Sequence, residues 1–461
     1  MPCSGSAPLY GRKEQIMKHK KTAIYCGTLC ILAFLFAVKP MLTSTYAAYP
    51  ESMVYFLTGA VIPMMLLTVI AFKYTESTYS MHTVTLATVL TIGNAAALPL
   101  LQYTSSLDEK AIGIAKEISS NTIRMVIMIP VTWLIAAGLC WLGKQTALRQ
   151  RIAAGAALLA SLVYTALLFL IADPSSNTAV LLVGSHRIQA AIPALMLSIL
   201  QLCLMTRIPG KLWRAMIAAG ITLVNAGLIL KGETGIPLIL FASAAVWYYL
   251  LQPFKRKWLT FGIPLLSAAG CASVWILHRT HDSLPDVDWL RDMAGKIETR
   301  IFEDYVYQID TAAYSLQTGG WFGAAGYNIC LPEASSDMAV ITILHYCGLL
   351  FLLVILAAAV PAFYFGTMQI TRSGVKGVNA LSSICLSVLF VSFFYNLLMC
   401  FGLVPVLGSQ VAFTGFSAVF AAFSGLLLGA LCPCPNFVKK AITDQLKGVY
   451  DTCEMQKQTV E

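Results

Sequence analysis

The densest chemistry in this chain lies in Leu331-Pro332-Glu333-Ala334-Ser335-Ser336-Asp337. Its two carboxylates run straight into an apolar stretch of helix length. A charged group kept at the edge of an apolar region is costly and usually functional. Partial burial can raise a carboxyl pKa towards neutrality, which suits a general base. Asp is also a favoured N-cap, so Asp337 could do no more than cap a helix starting at Met338. Carboxylate oxygens suit Mg²⁺ or Mn²⁺, so Glu333 is a candidate ligand for a divalent cation as well as an ordinary solvated charge. The segment closes an acidic island over 278–337. The island holds Asp282, Asp286, Asp288, Asp292, Glu298, Glu303, Asp304, Asp310, Glu333 and Asp337 against Arg279, Arg291, Lys296 and Arg300.

Other polar groups interrupt the apolar runs. Lys231-Gly232-Glu233-Thr234-Gly235 splits one long run, and Glu233 and Lys231 would either pair with each other or line an interior cavity. His345 falls two turns inside the run after Asp337, where it is a satisfied core histidine or a site residue. Gly319, Gly320 and Gly323 suit a tight turn better than a phosphate cradle. Pro332 sits within the Leu-Pro-Glu segment, and Pro405 and Gly408 suit an irregular re-entrant connection. Cys432-Pro-Cys434 could hold a metal or a lipid, but most of the 13 cysteines lie scattered as small apolar residues.

These groups need elements to position them. The chain has 461 residues, 58% hydrophobic and 11% charged, against about 25% charged in soluble domains. Its fold class is therefore an all-α polytopic membrane protein. A span needs about 20 apolar residues, and about 12 segments qualify. They are roughly 22–43, 52–73, 80–102, 123–142, 151–172, 189–207, 212–230, 234–251, 258–277, 338–365, 378–401 and 410–432. Residues 22–432 thus form a transmembrane domain. A basic N-terminus, 1–21, precedes it, and a tail, 433–461, follows. The first apolar run continues to spanning length, which predicts no cleaved leader.

Lys and Arg fall in alternate connections. They are Arg12 to Lys21, Lys144/Arg149/Arg151, Arg207/Lys211/Arg214, Lys255/Arg256/Lys257 and Arg372/Lys376. The positive-inside rule then predicts cytoplasmic termini. The 278–337 loop, the Ser105–Arg124 loop and Asp173-Pro-Ser-Ser-Asn177 fall outside. The net charge of +9 is thus a topology signal and predicts no nucleic-acid binding. Gly155-Ala-Ala and Gly425-Leu-Leu-Leu-Gly429 suit close helix packing.

Two blocks resemble the SEDS family of bacterial cell-wall polymerases (the FtsW/RodA/SpoVE group). The first reads Tyr307-Gln308, then Thr318-Gly319-Gly320-Trp321-Phe322-Gly323, then Leu331-Pro332-Glu333 through Asp337, with Gly348 following. It is similar to the family's Tyr-Gln, Gly-Gly-Leu-Phe-Gly and Leu-Pro-Glu-x-His-Thr-Asp. The second, Asn396 through Gly402-Leu403-Val404-Pro405-Val406-Leu407-Gly408 to Phe413, is similar to the family's Asn followed by Gly-Leu-Leu-Pro-Val-Thr-Gly. Lys231 to Gly235 stands where the family has Gln-Pro-Asp-x-Gly. The resemblance spans roughly 184–430. The family usually has ten spans, so two of those predicted N-terminal to this region are extra. Ser335-Ser336 and His345-Tyr346 replace the family's His-Thr and Glu-Glu.

The resemblance implies a peptidoglycan glycosyltransferase in the bacterial cytoplasmic membrane, serving division, elongation or sporulation. Its substrate would be lipid II, polymerised at the outer face beside a class B penicillin-binding protein acting as transpeptidase. Asp337 matches the family's essential Asp and is the expected base. Glu333, Glu233, Lys231, Gln308 and His345 would contact substrate. Arg291 and Arg300 are candidates for the pyrophosphate, because Arg matches phosphate geometry. A non-catalytic scaffold or a transporter of lipid-linked precursor is the alternative.

Overall fold

The computed structural model describes residues 8–43, 78–97, 108–172, 179–183, 186–231, 233–251, 304–324, 331, 334, 336–372, 376–404, 406, 408–415 and 417–432. Six helical stretches there are long and apolar enough to cross a membrane: Lys20–Pro40, Lys116–Gly143, Ala147–Leu170, Lys211–Leu230, Leu350–Met368 and Ala380–Cys400. Shorter apolar helices cover Ala191–Met205, Gly235–Tyr248 and Ala418–Leu431. Nine of the predicted spans thus find an apolar helix. The predicted spans 52–73 and 258–277 lie outside the described residues.

The chain divides into two compact units. The first comprises Met1–Ile123, Ser315–Ile329 and Ile341–Gln369. Its first helix, α1 (Pro8–Thr43), packs along α2 (Thr78–Ala97). Every residue of α2 from Ser80 to Ala97 is buried, although the helix carries five threonines. Thr85 and Thr88 turn their hydroxyls back to the carbonyls of Met81 and Val84. Such bonds let a polar helix sit in an apolar interior. The described part of the predicted span 80–102, up to Ala97, is thus a buried, threonine-rich helix that is absent from the six apolar spans above. Gly93 lets α2 approach Ile343 and Phe351, each 2.8 Å from where a Cβ would stand.

Two predicted boundaries are corrected. The Ser105–Arg124 segment is no loop, because α3 begins at Asp108 and continues to Gly143. The predicted span 338–365 is not one helix either. It breaks into α9 (Ala339–Cys347) and α10 (Leu350–Arg372) at Gly348, whose φ is +94°.

The second unit comprises Arg124–Tyr314, Cys330–Val340 and Ile370–Glu461. Helix α4 (Ala147–Leu170) packs on α6 (Lys211–Leu230), and α5 (Ala191–Met205) packs on both. A short antiparallel hairpin precedes α5, with β1 (Val180–Val183) paired to β2 (His186–Gln189) in the register Val180↔Gln189. It adds two strands to the otherwise helical fold. Leu181, Ala190, Ala194, Leu168, Val224 and Leu228 form the core that seats it.

Helix α7 (Gly235–Leu251) packs on α11 (Lys376–Cys400), where Trp247 donates to Ser383 at 2.7 Å. Helix α12 (Ala418–Leu431) crosses α3 at Gly425 and Gly429. A Cβ at Gly425 would run into the carbonyl oxygen of Met125, and one at Gly429 would lie 2.8 Å from Thr132 Cβ. The predicted Gly-x-x-x-Gly contact is present. By contrast, Gly155 meets nothing within 4 Å, and α6 approaches α4 through Gly220 and Gly227 instead.

This close crossing predicts that Gly425→Val destabilises the chain by about 1–3 kcal/mol, the usual cost of overpacking. Gly155→Val should be near neutral. Thermal unfolding of the two variants in one detergent compares them directly.

Candidate functional site

Asp337 lies in the turn Ser336–Met338 that leads into α9, and it is half-buried. The helix begins at Ala339, one residue later than predicted, with the Ala339 N–H donating to the Ser336 carbonyl at 3.3 Å. The turn is held from outside. Asn396, in the last part of α11, is completely buried. Its Nδ2 donates to the main-chain carbonyl of Asp337 at 2.7 Å and also to the carbonyl of Ser409. Its Oδ1 accepts from the Cys400 thiol at 3.5 Å. One amide therefore uses both N–H groups to join two irregular segments.

The second segment follows α11. From Ser409 to Thr414 the backbone is not helical, and every side chain is buried. Gly402, Gly408 and Gly415 adopt φ of +71°, +69° and +85°. Phe413 adopts +71° without being glycine, a region L residues seldom occupy. Its N–H is anchored by the Ser424 hydroxyl at 3.0 Å. Thr414 closes the turn onto the Val411 carbonyl at 2.7 Å. In lipid, irregular backbone is tolerated only when buried in protein or lining a cavity. The predicted span 410–432 is therefore corrected. Residues 410–415 belong to this irregular segment, and helix begins at Ala418.

Helix α8 (Asp304–Gly319) reaches the same region. Its Ile309 Cγ2 lies 2.9 Å from where a Cβ on Gly402 would stand. Gln308, next in sequence, is half-buried, and its Oε1 has no hydrogen-bond partner among the described residues. Asp337, Asn396, Gly408 and Gln308 thus all belong to the second unit. At the break before α7, Glu233 is completely buried, with its N–H on the Leu228 carbonyl at 3.0 Å. Lys231 extends its ammonium over the Phe169 ring, 5.1 Å from the centroid.

The glycine-rich stretch belongs to the first unit, where it forms a backbone joint. A Cβ on Gly319 would lie 2.8 Å from the His345 backbone, and one on Gly323 would strike the Tyr346 carbonyl. Ala324 N–H donates to the His345 carbonyl, Leu349 N–H to Gly320 and Leu350 N–H to Trp321, at 2.9, 2.9 and 3.1 Å. The loop thus satisfies groups left open by the break at Gly348. Gly320 itself adopts φ of +60°. Lys39 of α1 donates to the Phe322 carbonyl at 2.6 Å, a contact sequence spacing gave no signal for.

His345 is 1% exposed. Its Nδ1 lies 2.7 Å from the Ser315 carbonyl and 3.4 Å from the Thr318 hydroxyl. A carbonyl only accepts, so Nδ1 carries a proton and donates.

Glu333, Pro332, Arg291, Arg300 and Pro405 lie outside the described residues. Among the described residues no group of three or more His, Cys, Asp and Glu could hold a metal ion. The eight described cysteines are free thiols.

The helices and their buried irregular segments define a polytopic helical membrane protein. Five chains of solved structures match this fold. One comes from a peptidoglycan synthase complex, solved for its structural coordination of polymerization and crosslinking. The likeness has a TM-score of 0.50 at 15% identity, over 78% of this chain and 97% of that one. No protein-family model and no curated protein matches the sequence.

The amide of Asn396 generates a sharp expectation. Asn396→Asp keeps the shape but removes both donors, setting a carboxylate against two carbonyls. Each buried acceptor left unpaired costs about 1–3 kcal/mol. Asn396→Asp should therefore unfold earlier than Asn396→Leu, which leaves the same carbonyls unpaired but adds no charge. Chemical denaturation in detergent would rank the two.

Proposed function

We propose that this chain is a SEDS-type peptidoglycan glycosyltransferase that polymerises lipid II at the outer face of the bacterial cytoplasmic membrane. One observation carries the reading. Two sequence blocks that resemble the family separately, one ending through Asp337 and the other starting at Asn396, are joined by the Asn396 amide. The likeness to a chain of a peptidoglycan synthase complex supports the same fold.

On this reading Asp337 is the base. Its carboxylate takes the proton from the acceptor sugar hydroxyl. The hydroxyl oxygen forms a bond to the anomeric carbon of the lipid-linked donor. The bond from that carbon to the pyrophosphate oxygen breaks, and the pyrophosphate leaves with the electron pair. Arg291 and Arg300 would offset its charge. Asn396 does not touch substrate. It fixes the backbone that carries Asp337, and small displacements of a catalytic group are costly in rate. Glu233 and Lys231 would line the cavity. A class B penicillin-binding protein would crosslink the product. Both termini would face the cytoplasm.

A second reading, a non-catalytic scaffold or precursor transporter, is favoured by His345. It stands where the family places a carboxylate, and its Nδ1–H is occupied by the Ser315 carbonyl.

Polymerisation of lipid II by the purified protein separates the two. Wild type should form glycan strands, and Asp337→Ala should lose at least about a hundredfold in rate, as removal of a general base does. Wild-type rates from Asp337→Ala would sink the catalytic assignment. Movement of lipid II across liposomes without polymer would favour the transporter.

A further inference from the structure

Two glycines in the left-handed region, Gly320 at φ +60° and Gly323 at +89°, bracket Trp321 and Phe322. The chain turns at both, so the aromatic pair forms the tip of the joint. Trp321 is 64% exposed and Phe322 62%. Two adjacent large aromatics standing open form a surface that calls for a cover.

The main chain beneath them is pinned. The Trp321 carbonyl accepts the Leu350 N–H at 3.1 Å. The Phe322 carbonyl accepts from the Lys39 ammonium at 2.6 Å, and the Gly323 carbonyl accepts from the same ammonium at 3.2 Å. A Cβ on Gly348 would stand 2.5 Å from the Trp321 carbonyl oxygen. The tip is therefore held in place, and the exposure of its rings is built into the joint.

The same partners give its depth. Lys39 precedes Pro40, the last residue of the candidate span Lys20–Pro40, and Leu350 is the first residue of Leu350–Met368. One span thus ends, and another begins, on the two residues of the tip. Phe36 of α1 and Phe351 of α10 meet edge to face with centroids 6.1 Å apart, so the two helix ends lie side by side. Away from the tip each helix shows an open apolar face. Leu35 and Ile31 are exposed on α1, and Leu353 and Val360 on α10. Such faces meet acyl chains, and the tip lies where they stop.

Trp is enriched at that depth, because its ring prefers the edge of the hydrocarbon while its indole N–H reaches water or a headgroup. Lys39 brings an ammonium to the same level, as lysines near span ends do. The cover that fits this combination is the lipid surface itself.

We infer that Trp321 and Phe322 are a membrane anchor whose rings enter the headgroup layer and set the depth of the joint. The anchor does not depend on the glycosyltransferase reading.

The test follows Trp321 in the full chain reconstituted into phosphatidylcholine vesicles. Subtracting the emission of a Trp321→Phe variant from that of wild type isolates its fluorescence. Lipid brominated near the headgroup should remove most of this signal. Lipid brominated at the chain ends should remove less, and aqueous iodide should leave most of it. Loss to iodide without loss to bromine would put the tip in water and overturn the anchor. Loss to neither would mean that protein covers it, which overturns the anchor as well. Greater loss to the chain-end bromines would overturn its placement among headgroups. Should Trp321→Phe fail to fold, Phe322→p-benzoylphenylalanine reads the same contact by irradiation in the vesicles. Lipid adducts found by mass spectrometry would support the anchor, and adducts confined to the chain itself or to a second copy would overturn it.

Discussion

The second unit depends on a demand that the bilayer makes of every peptide carbonyl. Inside hydrocarbon no water is available, so a carbonyl outside a helix must find a donor in the protein. Asp337 and Ser409 both lie outside helices, and one buried amide serves both. Primary amides suit this task because two N–H donors diverge from one nitrogen. A hydroxyl could satisfy only one of the carbonyls, and a cation would add an uncompensated charge. The polar residue at this depth of α11 is therefore constrained by geometry.

The first unit meets the same demand mainly with backbone, helped by the Lys39 ammonium on the Phe322 carbonyl. The break at Gly348 interrupts the helical ladder between α9 and α10. The Thr318–Ala324 loop fills the gap by exchanging N–H and C=O groups with it. That exchange requires main chains to touch, and Gly319, Gly323 and Gly348 are the residues at which a Cβ would collide. The glycines read in the sequence as a tight turn thus serve a joint between two segments. One glycine turns the chain while others clear its path.

Hydropathy made most of the helices legible, because length and apolar content are local properties. It failed where structure depends on partners. Gly348 lies in a continuous apolar run, and nothing in the run marks a break. Residues 410–417 read as the start of a span, yet from Gln410 to Thr414 the side chains are buried around irregular backbone. Helix α2 shows the opposite error of scale. Its threonines depress its hydropathy, yet Thr83, Thr85, Thr88 and Thr91 are buried, and Thr85 and Thr88 return their hydroxyls to their own helix. The site followed the same rule. Asp337 and Asn396 were legible as residue types in two motifs. Their connection through a main-chain carbonyl was not, since any residue at 337 would offer that carbonyl.

His345 limits how far the resemblance to the cell-wall polymerases can be carried. Where the family places a carboxylate, this chain has an imidazole that donates to the Ser315 carbonyl. A carboxylate in that place would oppose an acceptor with an acceptor. It would have to take up a proton or turn away. The environment built around residue 345 therefore suits a donor, and His345 is no simple loss of an acid from an otherwise unchanged pocket. The Ser315 carbonyl that receives it lies in the last turns of α8, so the imidazole also ties α8 to α9 within the first unit. Restoring a glutamate at 345 would remove that tie along with the histidine. Any activity of this chain has to arise with that tie in place, while Asp337 is held in the second unit by other means.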